Sequence, residues 1–118
     1  MAKGFARGVG ALFVALGLAA LTIGPSANGL VVGDVYHALL HCFFGITLLG
    51  FSFRDESQAS GSLLLVALMC MAWTLIGYRQ VDSSETENRM HGVMAMILAS
   101  AAAWHMLRRT HNRSRAIT

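Results

Sequence analysis

The chain has 118 residues, of which 55% are hydrophobic and 13% charged, with a formal net charge of +3. No Asp, Glu, Lys or Arg interrupts the 26 residues between Arg7 and Asp34, the 19 between Asp34 and Arg54, the 22 between Glu56 and Arg79 or the 18 between Arg89 and Arg108. A bilayer core takes about 20 mostly apolar residues per helix, so these windows predict four spans that leave no room for a globular catalytic domain, a nucleic-acid-binding module or a disulfide-framework secreted domain.

The first predicted helix covers residues 5–23, after Lys3 and Arg7 and before the breakers Gly24-Pro25 and Asn28-Gly29. Small residues near Ala27 would suit a signal peptidase, but the apolar run from Val9 to Ile23 is long for a signal's core and reads as a retained span. The second helix is expected over 31–53 and the third over 62–78, after a polar and small stretch from Ser57 to Gly61. The fourth is expected over 88–107, after Asp82-Ser83-Ser84. Short connections make sequential helices antiparallel neighbours. The expected architecture is therefore a single all-α membrane domain spanning 1–118, an up-down four-helix bundle.

Lys3, Arg7, Arg54, Arg108, Arg109, Arg113 and Arg115 fall on one side of such a bundle, and only Arg79 and Arg89 on the other. The positive-inside rule then gives an N-in, C-in topology, and the expected address is a bacterial inner membrane, cytoplasmic or intracytoplasmic. The arginine-rich tail from Arg108 to Arg115 reads as an orientation signal resting on acidic headgroups; no aromatic interleaving or motif accompanies it to suggest nucleic acid. Small residues recur every four positions as Gly4 and Gly8, as Ala11, Ala15 and Ala19, and as Ala95, Ala99 and Ala103. Such rows let helices approach closely in lipid, inside the bundle or against another protein.

Ionisable groups inside a membrane are costly and mark functional hypotheses. His37 and His41 are four apart and share a helix face, about 6 Å apart along the axis. His37 lies about one turn into the second helix and His91 about one turn into the fourth, and both helices run in the same direction. His37, His41 and His91 are therefore expected to converge in the outer leaflet. Asp34, Glu87 and Asn88 stand one turn above them as acceptors able to fix a tautomer.

Four readings of the cluster stay open: an interhelical hydrogen-bond network, axial ligation of haem b or a chlorophyll-type pigment by His91 with His37 or His41, direct binding of zinc or copper, and a proton relay or quinone contact. His91 and His105 are fourteen apart on one face, the histidine spacing of helices in two-haem transmembrane cytochromes b. The second helix offers no inner partner near Phe51, so only a single outer haem is supported. His105 is then an interfacial residue beside Trp104 and Arg108. Cys42 and Cys70 lie near mid-membrane, are not a CxxC pair, and are expected to act as small buried hydrophobes. No serine or threonine has a base at helical spacing. Small four-helix multidrug exporters rely on a buried carboxylate in their first helix, which is missing here.

The segment His37-Ala-Leu-Leu-His41-Cys-Phe-Phe-Gly45, followed by Asn88-Arg-Met-His91-Gly92, resembles the bacterial four-helix membrane proteins catalogued as domain of unknown function 4383. Their recurring marks are H-x3-H-x3-G in the second helix and N-x2-H opening the fourth. The resemblance covers roughly residues 33–103; the family's usual Asp before the Asn is Glu87 here. It implies that His37, His41 and His91 are the site residues and leaves His105 aside, and it implies no activity.

The function expected from these features is that of a non-enzymatic accessory or structural subunit of a larger membrane complex, in contact with lipid and other membrane subunits. The alternatives are an electron-transfer or pigment protein using the same histidines, and a small transporter or metal-binding protein.

Overall fold

The computed structural model describes residues 1–23, 35–77 and 85–115. They form four helices, α1 (Ala2–Ile23), α2 (Val35–Ser52), α3 (Glu56–Gly77) and α4 (Glu85–Arg115). All four are long and apolar enough to cross a membrane, and together they make an all-α four-helix bundle. Leu12, Leu18, Phe43, Ile46, Leu68 and Leu75 point outward, as lipid-facing residues do.

Two helix bounds differ most from those the composition suggests, and α1 and α4 also begin three residues earlier than expected, at Ala2 and Glu85. The third helix begins at Glu56 rather than 62, because Asp55 caps it: its side chain accepts from the Gln58 amide at 2.8 Å and its carbonyl from the Ala59 amide at 3.1 Å. The stretch Ser57 to Gly61 resembles a breaker in composition, yet Ala59 and Ser60 are buried, and Ser60 Oγ donates to the Ala102 carbonyl of α4 at 3.3 Å. The fourth helix continues to Arg115 rather than stopping near 107. No Gly or Pro follows Gly92 to stop it, and Thr110 and Ser114 hydroxyls bond back to carbonyls one turn earlier. Residues 31–34 and the breakers at 24–29 and 82–84 lie outside the described residues.

The closest helix contact is between α1 and α2. A Cβ on Gly10 would stand 2.9 Å from the Gly45 carbonyl oxygen; one on Gly45 would stand 2.6 Å from that of Gly10; and one on Gly17 would strike the Cys42 thiol and lie 2.7 Å from the Ala38 carbonyl oxygen. The buried stripe Ala2, Ala6, Gly10, Phe13 and Gly17 advances in steps of four or three, the spacing of one helix face. The α1 rows named from sequence lie mostly elsewhere, whereas in the α4 row Ala95 is buried and Ala99 packs against the core. Nothing approaches Gly4 or Gly8 within 4 Å, and Ala11 and Ala15 are exposed.

The stripe of α4 facing α3 is Asn88, His91, Ala95, Leu98, Ala102 and His105. Thr74 Oγ1 lies 2.9 Å from the Cys70 carbonyl of its own helix and 3.4 Å from the Asn88 carbonyl, linking α3 to α4. α1 approaches α3 across the bundle, whereas no described Cα of α2 comes within 8 Å of one of α4. The cross-section is therefore a flattened rhombus, as the extents of 59 × 28 × 17 Å also indicate, with α2 and α4 at its far corners.

A three-histidine cluster as candidate metal centre

Although α2 and α4 stay apart, their imidazoles bridge the gap at the end of the bundle opposite the chain termini. The i, i+4 pair on α2 lies along one face, with His37 and His41 ring centroids 4.5 Å apart and the rings tilted by 41°. His91 reaches across from α4 to both, with centroids 5.1 Å from His37 and 5.7 Å from His41, the latter pair nearly parallel at 6°. His37 is 6% exposed and the other two are half-buried. One nitrogen from each ring falls within 4.8 Å of the others.

Two aromatic side chains flank the cluster. Trp73 of α3 lies 5.5 Å from the His37 ring and 6.5 Å from the His91 ring, and Phe13 of α1 stacks on His41 at 5.5 Å. Every helix of the bundle thus contributes a side chain. Sequence reasoning placed the three histidines and missed both aromatic neighbours. The signal for Trp73 was available in its position one turn from the end of α3, at the depth of His91 in an antiparallel neighbour. Phe13 has no comparable mark among the leucines and alanines of α1.

An ion at the centre of a triangle with 4.8 Å edges stands about 2.8 Å from each corner, against about 2.0–2.1 Å for a metal–imidazole bond. Each nitrogen must move inward by about 0.7 Å, which small side-chain rotations supply. A haem held between two imidazoles is a poorer fit. The macrocycle would have to pass between the two ligand rings, so the mutual contacts of the three imidazoles would have to open. A chlorophyll-type pigment would use one imidazole and leave the convergence of the other two without a role.

Of the expected supporting acceptors, Asn88 is buried and its carbonyl faces Thr74. Asp34 and the Glu87 side chain lie outside what is described. Cys42 and Cys70 are free thiols, Cys42 in the notch opposite Gly17 and Cys70 buried on α3, as expected of small hydrophobes.

His105 lies at the other end of the bundle. Its side chain is only 14% exposed, with Nε2 3.1 Å from Glu56 Oε2; the same carboxylate receives the Lys3 amide at 3.3 Å. It is therefore mostly enclosed and joined to α3. Trp104 is exposed and carries the Arg108 guanidinium 4.8 Å above its ring.

Fold and site together define a four-span helical membrane protein with a buried cluster of three histidines. No protein-family model, no curated protein and no solved structure matches the chain.

Proposed function

We propose that this chain is a non-enzymatic metal-binding subunit of a larger membrane complex, holding one late first-row transition-metal ion on His37, His41 and His91. The observation that carries the reading is the convergence of three imidazole nitrogens within 4.8 Å from two helices whose backbones stay apart. Imidazole suits zinc and copper, and three histidines are a recurrent ligand set for such ions. The resemblance to the domain of unknown function 4383 proteins marks the same three residues. The positive-inside count supports an N-in, C-in topology with the site toward the outer leaflet. The outward small-residue face Gly4, Gly8, Ala11 and Ala15, left uncovered among the described residues, supports a subunit role.

The test is metal content and absorption of protein purified from its own membrane. About one ion per chain, lost in His91→Ala and in the His37→Ala/His41→Ala double variant, is the expected result. Equal metal in wild type and variants refutes the site. A Soret band that shifts on reduction and disappears in His91→Ala replaces the ion with haem. A partner-free monomer by native mass spectrometry of membrane extracts refutes the subunit role.

A further inference from the structure

α4 is longer than one membrane crossing requires. Its 31 residues measure about 46 Å at 1.5 Å per residue, against a hydrocarbon core of about 30 Å. Its apolar stretch ends at Leu107, so the helix from Arg108 to Arg115 runs on among lipid headgroups. Where it emerges, Trp104, Leu107, Arg108, His111 and Asn112 line an open groove of about 400 Å³. Their spacing of i, i+3/i+4 and i+7/i+8 places them on one helix face. The Arg108 guanidinium lies 4.8 Å over the Trp104 ring, and its Nη1 is 3.9 Å from the Met1 thioether, a weak acceptor. The ring holds the plane of the stacked guanidinium, while its in-plane N–H donors stay available to an acceptor at its edge.

We propose that this groove seats the phosphate of one anionic glycerophospholipid, a site independent of the histidine cluster and of the metal-centre reading. The Arg108 fork takes the phosphate oxygens, as guanidinium does bidentately. His111 and Asn112, one turn further along, offer imidazole and amide donors to the same headgroup. Trp104 and Leu107 are exposed on the hydrocarbon side of the groove, where the glycerol and the first acyl carbons of a lipid would lie. A free phosphate has no use for that apolar half, so the occupant is a lipid. The charge is complementary: no Asp or Glu occurs from Asn88 to Thr118, a stretch that holds Arg108, Arg109, Arg113 and Arg115. The carboxylates at this end of the bundle have partners in the protein, Asp55 accepting from the Gln58 amide and Glu56 from the Lys3 amide, with His105 Nε2 3.1 Å from Glu56. A loose cationic tail attracts acidic headgroups without choosing among its arginines. The stack on Trp104 makes Arg108 the position that counts, and Arg109, exposed but outside the groove lining, is its matched control.

The test titrates the full chain, delipidated in detergent, with phosphatidylglycerol and with phosphatidylcholine of the same acyl chains, and counts bound lipid by native mass spectrometry. Far-UV circular dichroism and gel filtration establish that each variant is folded. The expected result is one phosphatidylglycerol per chain, bound at least about tenfold more tightly than phosphatidylcholine. Arg108→Gln weakens phosphatidylglycerol at least about tenfold, whereas Arg109→Gln, which removes the same charge, weakens it no more than about fivefold. Inorganic phosphate leaves the bound lipid in place when compared with sodium chloride of equal ionic strength. Equal losses in Arg108→Gln and Arg109→Gln overturn the site and leave a loose cationic tail. Equal affinity for the two lipids, or phosphatidylglycerol binding that does not saturate at one per chain, overturns it as well. Displacement of the lipid by inorganic phosphate overturns the lipid assignment and makes the groove a receptor for a free oxyanion.

Discussion

Replacing Gly17 with alanine tests whether the α1–α2 contact positions the histidines. The added methyl would strike the Cys42 thiol and stand 2.7 Å from the Ala38 carbonyl oxygen and 2.8 Å from the Cys42 amide nitrogen. Two of these three atoms are backbone, so rotating Cys42 away does not relieve the clash. Restoring an ordinary 3.4 Å contact requires the helices to part by about 0.7 Å. Overpacking of this size costs about 1–3 kcal/mol, against a helix-propensity gain from Gly to Ala of about 1 kcal/mol. Gly8→Ala isolates the second effect, because nothing approaches Gly8 within 4 Å. The difference between the two variants is then the packing cost, expected at about 1–3 kcal/mol by reversible SDS unfolding in mixed micelles followed by circular dichroism. Ion affinity should fall with stability in Gly17→Ala alone, because His41 adjoins Cys42 and its ring is stacked on Phe13 of α1. Equal stabilities for Gly17→Ala and Gly8→Ala would refute the reasoning, as would a destabilised Gly17→Ala that binds its ion as tightly as wild type.

Two further substitutions probe the elements that place α3 and α4. Asp55→Ala removes the acceptor for the Gln58 amide and should cost about 0.5–2 kcal/mol, seen as faster hydrogen exchange confined to the first turn of α3; unchanged exchange there would mean that Asp55 does not set the helix start. Thr74→Val keeps the shape of a buried side chain but removes its hydroxyl bonds to the Cys70 and Asn88 carbonyls. It should lower stability by about 0.6 kcal/mol, and by no more than about 1.7 kcal/mol, with Thr74→Ser recovering most of the loss; failure of the serine to recover it would assign the effect to packing instead.

The spans were legible because the exclusion of charge from a hydrocarbon core is a local property of the chain, visible as four uninterrupted windows in a linear sequence. The facing of His37 and His41 was legible for a similar reason, since i, i+4 spacing places side chains together within one helix regardless of what surrounds it. His91 could be matched to them in depth because each lies about one turn into a helix running the same way. The start of α3 was not legible: Ser57 to Gly61 has the composition of a loop, and only the Asp55 cap and the seat of Ser60 against Ala102 make it helical.

What the sequence by itself determined is the membrane address, the number of helices and the three histidines that meet. What only the tertiary structure decided is which face of each helix turns inward, and so which neighbours those histidines have. In a soluble bundle the apolar stripe announces the core, but lipid is as apolar as the interior, and the inward and outward faces of a spanning helix read alike. That is why Gly10 and Gly17, rather than Gly4 and Gly8, form the seam with α2. It is also why Phe13 and Trp73 emerged as neighbours of the site only once the helices were packed.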